Sequence, residues 1–246
     1  LLVHFPKGQI SAFQRKQMTT LNSPYVQVAS FEGGGDDMDL PIKNILKEKH
    51  HDFDFCGVNS YNIGRPLIQM IHFVWTYLRV AEENEINLGD KSRPVDIIIP
   101  TGAMGNIAAA YMIKKCGLPI GKLCAGVNIN DITDRVIQSG KFHKSKRMEK
   151  TLSEAINIQV PYNFERLLYY LSDQNHSIVN TWMKKMEDTS KLDLDDIWIK
   201  RLQNDFSSAK ITDEEMCESI VKAKDVYNYF IDPHTAVALS AAEKLG

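Results

Sequence analysis

The sequence predicts an α/β fold in which parallel strands are joined by crossover helices and the C-terminal part is mostly helical. Short apolar runs alternate with segments of helical periodicity over the first half of the chain. A β-branched run at residues 95–99 is typical of an interior strand. The length of 246 residues, with 43% hydrophobic and 24% charged side chains, suits one or two domains.

The first 50 residues predict the order β-α-β-α. Residues 1–5 read as a buried strand, and residues 10–20 carry a helical pattern after a Pro-Lys-Gly turn. A second strand is expected at residues 25–29. A flexible acidic turn follows at residues 31–37, and the apolar spacing at residues 41–46 indicates a second helix.

A long core-facing helix is expected next, ending near Glu83. Its apolar positions recur at spacings of three and four residues and comprise Leu67, Met70, Ile71, Val74, Trp75 and Leu78. From Tyr162 onward the patterns are mainly helical, and Thr212 with Glu215 forms a capping-box signature.

The composition gives no support for a nucleic-acid or membrane partner. The formal net charge is −2, and no apolar run approaches the roughly 20 residues that a membrane helix needs. The cysteines form no CxxC pair and have no histidines at metal-ligand spacing, so we expect reduced buried thiols, no metal and a cytoplasmic protein. These cysteines are Cys56, Cys116, Cys124 and Cys217.

Residues 101–106, which we call the glycine loop, carry the most informative pattern. The loop reads Thr-Gly-Ala-Met-Gly-Asn and joins the strand at residues 95–99 to an Ala-rich helix at residues 107–115. Such a junction presents unpaired amides and the positive end of a helix dipole, so it can hold a phosphate without a lysine. The spacing fits neither GxxxxGK[ST] nor GxGxxG, and a tight turn is the alternative interpretation.

Several segments resemble motifs of the threonine synthase family, in the same order along almost the whole chain. Residues 58–65 (V-N-S-Y-N-I-G-R) are similar to the family's V-N-S-I-N-W-x-R, and residues 100–106 to its P-[ST]-G-N-F-G-[ND] cofactor loop. The other matching segments are residues 5–11, residue 14 with 17–20, residue 128 with 130–132, residues 161–168 (P-Y-N-F-E-R-L-L) and residues 231–237 (I-D-P-H-T-A-V).

This resemblance implies a pyridoxal 5'-phosphate enzyme of the tryptophan synthase β-like fold (fold type II), with three αβα layers. Residues 1–58 would be a remnant of the smaller α/β domain. Residues 59–246 would form the larger domain, which binds the cofactor phosphate and includes the helical C-terminal part. The implied ligand is a small phosphorylated amino acid, and a homodimer is the family expectation.

The resemblance also assigns site residues. The cofactor phosphate would be held by Thr101, Gly102, Ala103, Met104, Gly105 and Asn106. The substrate side would be lined by Asn59, Ser60, Asn62 and Arg65. A buried arginine holds a carboxylate or phosphate through paired hydrogen bonds, so Arg65 is the candidate for the substrate's anion. An exposed helix arginine with a local acidic partner is the alternative.

Three further groups receive no catalytic role. The basic run from Lys141 to Arg147 reads as a solvated loop, and His50 with His51 as a solvated surface pair. His234 matches the family's D-P-H-T-A, but at a helix start we expect it to cap or pack.

The family's cofactor-linking lysine lies in an F-K-D-like segment upstream of an S-G-D-T-G loop, and neither motif occurs here. We therefore expect a fragment that lacks the N-terminal segment and has no catalytic residue of its own. A truncated, non-catalytic form that is secreted or acts in signalling is an alternative.

The loop also bears on the reaction, because Ala103 and Met104 stand where threonine synthases usually carry Asn and Phe. Animal threonine-synthase-like proteins with a small-residue G-A-A-G-N loop are more similar and are associated with phosphate elimination. The resemblance thus implies a phospho-lyase that converts O-phosphothreonine or O-phosphohomoserine into a 2-oxo acid, ammonia and phosphate. Threonine synthase, which makes threonine from O-phosphohomoserine, is the alternative.

Overall fold

A computed structural model describes residues 1–33, 38–48 and 56–246, which divide into two compact units, Leu1–Gly57 and Val58–Gly246. Most of the predicted acidic turn, and both His50 and His51, lie outside the described residues. Within the described ranges, no helix is both long enough and apolar enough to cross a membrane.

The first unit confirms the predicted β-α-β-α order. It consists of β1 (Leu2–Pro6), α1 (Ala12–Thr19), β2 (Gln27–Phe31) and α2 (Asp39–Lys47). The two strands pair in parallel, and the Ser11 hydroxyl caps α1 by accepting the amide of Gln14. The second strand begins two residues later than expected.

The prediction that the opening strand is buried is wrong. Phe5 is buried, but Leu1 and Leu2 are 67% and 56% exposed. Among the described residues of this unit the sheet has two strands, and a sheet of that size offers little surface that could cover both faces of a strand.

The second unit contains the remaining elements. In chain order they are α3 (Gly64–Glu83), β3 (Val95–Pro100), α4 (Gly105–Lys115), β4 (Ile120–Val127), α5 (Ile132–Ser139), β5 (Lys141–His143), α6 (Phe164–Leu171), α7 (His176–Thr189), β6 (Lys191–Asp193), α8 (Asp196–Asp205), β7 (Phe206–Lys210), α9 (Asp213–Tyr227) and α10 (Pro233–Leu245). The mostly helical C-terminal part is as predicted, and the capping box of Thr212 and Glu215 starts α9.

The main sheet is parallel, with the strand order β3-β4-β7, and helices cover both of its faces. Because side chains alternate along a strand, Ile97 and Ile99 pack with residues of α3 to α8, whereas Ile98 packs with α9 and α10. This is the predicted three-layer arrangement. β5 and β6 form a separate antiparallel pair.

The predicted core face of α3 is partly wrong. Phe73, Tyr77 and Ala81 are buried, whereas Leu67, Ile71 and Trp75 are 49%, 66% and 61% exposed. The helix carries two adjacent apolar rows, and the row containing Phe73 packs into the core that also includes α4. Periodicity alone does not say which of two apolar rows meets a partner.

The cysteine prediction is also partly wrong. All four are free, as expected, but Cys124 is the one that is buried, and Cys56, Cys116 and Cys217 are exposed. Cys124 lies on the central strand β4, which is covered on both sides.

Candidate functional site

The glycine loop lies at the carboxyl end of β3 and leads directly into α4. The Thr101 amide donates to the carbonyl of Gly126 at 2.8 Å, and its hydroxyl donates to the carbonyl of Ile99 at 2.8 Å. The amide bond extends the contact with β4 by one residue before the chain turns, whereas the hydroxyl bond goes back to β3 itself. The predicted order of strand, loop and helix is confirmed, but α4 begins at Gly105, so Gly105 and Asn106 belong to its first turn rather than to a loop before it.

Met104 has the left-handed backbone conformation, with φ 62° and ψ 11°, although its side chain is 98% buried in the core. For a residue with a side chain, this conformation costs about 1–2 kcal/mol. The next residue, Gly105, has the right-handed helical conformation and begins α4. Left-handed and right-handed residues in succession turn consecutive amides toward one point, which makes a concave anion site called a nest.

The nest coincides with the start of α4. No side chain in the described part of the chain caps this helix, and its first turn contains no acidic residue. Its first amides therefore add unpaired donors and the positive end of a helix dipole. The arrangement suits a small anion bound by backbone groups alone.

Both glycines of the loop are required by close packing. A Cβ at Gly102 would lie 2.8 Å from the Cα of Ile156 and 3.1 Å from a side-chain carbon of Ile158. A Cβ at Gly105 would lie 2.8 Å from the Cβ of Ser60. Neither residue has a positive φ, so sterics explain these glycines rather than backbone conformation.

The segment predicted to line the substrate side reaches the loop through Ser60. Ser60 is buried, and its amide donates to the Asn59 side-chain oxygen at 2.6 Å. That oxygen also accepts the hydroxyl of Tyr162 at 3.1 Å. Asn62 accepts the amide of Gly64 at 2.9 Å and so orders the chain at the start of α3.

Arg65 lies in the first turn of α3 and is exposed. The premise that this arginine is buried is therefore wrong, and its exposure on a helix agrees with the alternative interpretation. Within residues 1–33, 38–48 and 56–246, no carboxylate pairs with it. A cation at a helix N-terminus is electrostatically disfavoured, and an anionic ligand would relieve this.

Sequence reasoning assigned no role to Asn163, which holds the loop from the other side. Its side chain is fully buried, and its Nδ2 donates to the carbonyl of Ala103 at 2.9 Å. Its backbone amide donates to the same carbonyl at 3.3 Å. The motif P-Y-N-F-E-R was the available signal, but nothing in it indicated a contact with the loop.

A buried polar network anchors the segment that covers Gly102. Asn128 lies directly after β4, and its Nδ2, which has two hydrogens to donate, has three oxygens within hydrogen-bond distance: Thr151 Oγ1 at 3.0 Å, Ser153 Oγ at 3.0 Å and Asn157 Oδ1 at 2.7 Å. Asn130 donates to the Asn128 side-chain oxygen at 3.2 Å. The network fixes residues 149–157 at the carboxyl edge of the sheet.

His234 packs against the same segment, as expected from its position at a helix start. Its Nε2 accepts the amide of Ala155 at 3.1 Å, and its Nδ1 lies 2.8 Å from a carboxylate oxygen of Asp232. Asp232 also caps α10 through Thr235. Burial alone would raise the pKa of Asp232, but hydrogen bonds from Thr235 and His234 outweigh it and lower the pKa to about 2.

Comparison with curated proteins finds clear relatives, although no protein-family model matches the chain. Threonine synthase of Saccharomyces cerevisiae is 35% identical over 260 residues, which cover 100% of this chain and 49% of the relative. Human threonine synthase-like 2 is 35% identical over 245 residues, which cover 98% of this chain and 49% of the relative. The chain spans about half the length of the curated relatives it matches.

Solved structures give the same result. The crystal structure of yeast threonine synthase matches with a TM-score of 0.83 and 35% identity, over 99% of this chain and 49% of that one. Threonine synthase from Brucella melitensis, solved with pyridoxal phosphate bound, matches with a TM-score of 0.81 and 29% identity, over 100% of this chain and 51% of that one. The fold predicted from the sequence is confirmed by these matches.

Proposed function

Because the chain belongs to the threonine synthase family, we propose that its glycine loop holds the phosphate of pyridoxal 5'-phosphate. The observation that carries this proposal is the left-handed Met104 followed by the helical Gly105. Together they direct the amides of residues 104–106 at one point where α4 begins. The Brucella relative was solved with this cofactor bound.

The residues of the loop fit a phosphate dianion. No acidic side chain lies in the first turn of α4, and the described residues supply no side-chain cap that would compete for its amides. Thr101 contributes by tying the loop to the strand edge, since its own hydroxyl is used by the Ile99 carbonyl. Asn106 is exposed and leaves the far side of the loop open.

The reaction proposed for the whole protein is phosphate elimination from a small phosphorylated amino acid. When bound, pyridoxal phosphate supplies a conjugated ring that withdraws electrons from the substrate's α-carbon. Arg65 would pair with the substrate's phosphate or carboxylate, and Asn59, Ser60 and Asn62 would line the same side. With O-phosphothreonine, loss of the α-proton to a base and departure of phosphate from the β-carbon would leave an enamine, which water converts to a 2-oxo acid and ammonia. O-Phosphohomoserine carries its phosphate on the γ-carbon, so a β-proton would have to be removed as well before phosphate departs.

The lyase proposal is supported by the composition of the loop. Ala103 and Met104 provide neither the amide nor the aromatic ring that threonine synthases usually carry there. Met104 is turned into the core, so the loop presents backbone rather than side-chain groups at this point. Phosphate binding tolerates this change, whereas steering an intermediate toward addition of water would be more sensitive to it.

Threonine synthase is the second candidate, because the yeast enzyme is as similar to this chain as human threonine synthase-like 2. The two reactions share their early steps and differ in product. Supplying the natural full-length protein with O-phosphohomoserine or O-phosphothreonine, and measuring phosphate, 2-oxobutyrate and threonine, separates them. Threonine as the main product from O-phosphohomoserine would reject the lyase.

Cofactor-phosphate binding is testable on this chain itself with pyridoxine 5'-phosphate, which lacks the aldehyde and so cannot link to lysines. Calorimetric titration should show saturable binding, with protection of the amides of residues 104–106 from hydrogen exchange. Saturable binding that leaves these amides unprotected would place the phosphate elsewhere.

A further inference from the structure

The Ala103 carbonyl of the glycine loop is fixed by hydrogen bonds from a distant segment of the chain. It accepts two hydrogen bonds from Asn163, one from Nδ2 at 2.9 Å and one from the backbone amide at 3.3 Å. Asn163 is fully buried, so neither bond competes with bulk water. The direction of this carbonyl is therefore set by Asn163.

The planar peptide transmits that direction to the next residue. In a trans peptide the C=O and the following N–H point in opposite directions, and no cis peptide occurs in the described chain. With the Ala103 carbonyl directed at Asn163, the Met104 amide points away from it. That amide is the first of the three donors of the nest.

Asn163 is itself held rigidly. It precedes α6, whose first residue, Phe164, is fully buried and packs against Phe142 with ring centroids 4.7 Å apart. Leu167 and Leu168 fix the same helix in the core. A group that positions a binding loop is effective when its own backbone and rotamer are locked in this way.

The other atom of the same amide has no partner. The Asn163 Oδ1 is buried, and within the described part of the chain it accepts no hydrogen bond. An unpaired buried acceptor is unfavourable. The side chain thus keeps its donor on Ala103 without satisfying its own acceptor, which is not expected of a residue that only fills space.

We propose that Asn163 is a positioning residue for phosphate binding, which turns the Ala103–Met104 peptide so that the Met104 amide points at the bound phosphate. The inference rests on the proposed function, because it assumes that the nest is where the phosphate binds. The residue acts through the loop and touches no reacting atom.

The test compares binding of pyridoxine 5'-phosphate to the 246-residue chain and to Asn163→Ala, by calorimetry with hydrogen exchange at residues 104–106. Loss of a group that orients a metal ligand typically costs roughly ten- to a hundredfold in affinity, and we expect a loss of that order for this anion site. Gln203→Ala is the matched control. It removes a side-chain amide that donates to the Ile137 carbonyl at 3.0 Å, away from the loop, and should change affinity less than about twofold.

Asn163→Asp adds a second measurement, the pH dependence of phosphate affinity, which would not change if Asn163 had a purely structural role. An ionised carboxylate cannot donate to the Ala103 carbonyl, whereas a protonated one donates its O–H. The affinity of Asn163→Asp is divided by that of the parent at the same pH. This ratio should rise as pH falls from 7 to about 4, since burial favours the protonated form of the new carboxyl group. The same readout applies if Asn163→Ala fails to fold.

The outcomes separate the two proposals. Absence of binding by the parent overturns the phosphate site and this inference together. Binding by the parent that is unchanged in folded Asn163→Ala, or an Asn163→Asp ratio that stays flat with pH, overturns the role of Asn163 and leaves the phosphate site standing.

Discussion

Replacing Gly105 by alanine tests the packing on which the loop geometry depends. The new Cβ would lie 2.8 Å from the Cβ of Ser60 and 3.3 Å from Nδ2 of Asn163. Carbon atoms in good contact are about 3.5–4.0 Å apart, so roughly 1 Å must be gained by moving the backbone. Overpacking of this kind costs about 1–3 kcal/mol. Alanine recovers up to about 1 kcal/mol of that by its higher helix propensity.

The net expectation is a loss of about 1–2 kcal/mol in the free energy of unfolding, measured by urea denaturation. In a chain of this size, each kcal/mol corresponds to a shift of about 2–4 °C in Tm. The decisive variant is Ser60→Gly, which removes the atom that the new methyl group meets. The double variant should be more stable than the sum of the two single effects predicts, by about 1 kcal/mol.

Gly102→Ala is the control for this cycle. Its Cβ meets the backbone of Ile156 at 2.8 Å, so Ser60→Gly should not rescue it. Additivity of Gly105→Ala and Ser60→Gly to within about 0.5 kcal/mol would show that the two residues are not in contact and would refute the packing argument.

Three other perturbations address the surroundings of the site and the core. Asp232→Ala should lower the free energy of unfolding by about 1 kcal/mol at pH 7, because it removes a helix cap. The pKa of Asp232 is lowered to about 2. The stability difference between the variant and the parent should therefore be complete above about pH 4 and disappear as pH falls toward 2. Asn128→Ala should cost about 1–3 kcal/mol by leaving buried partners unpaired, and should speed hydrogen exchange at Ile156 more than in β3. Leu202→Ala should lower the free energy of unfolding by about 2–5 kcal/mol, because Leu202 is fully buried. Leu67→Ala, at a half-exposed position, should change it by less than about 0.5 kcal/mol. Unfolding curves that reverse this order would contradict the described core.

The sequence predicted the elements whose patterns are local and missed those whose stability comes from neighbours. β3 is a β-branched run and was predicted within one residue of its observed end. β4 was not predicted, because Gly121, Lys122 and Gly126 interrupt its apolar pattern. Gly126 is there because α10 packs closely on the sheet, with the Val237 carbonyl 3.1 Å from where a Cβ would lie.

β7 was also missed, since the run from Phe206 to Lys210 has no β-branched residue. Its strand conformation comes from parallel pairing with β4, which a local pattern does not contain. The candidate site divides in the same way. The glycines at residues 102 and 105 were visible in the sequence, but the left-handed Met104 and the contact of Asn163 with Ala103 depend on packing between distant segments.

The order in which the sheet pairs sets a constraint on how the chain reaches its native state. β3 joins β4 across a short separation, as in the contact from Lys122 to Asp96 over 26 residues, whereas β7 joins β4 across 83 residues, as between Ser207 and Cys124. The longer closure costs about 1 kcal/mol more in chain entropy. During synthesis the apolar strand β4 therefore emerges well before its second partner and exposes an open edge until β7 arrives. Slowing translation between these strands should lengthen the period in which copies of the chain aggregate through that edge.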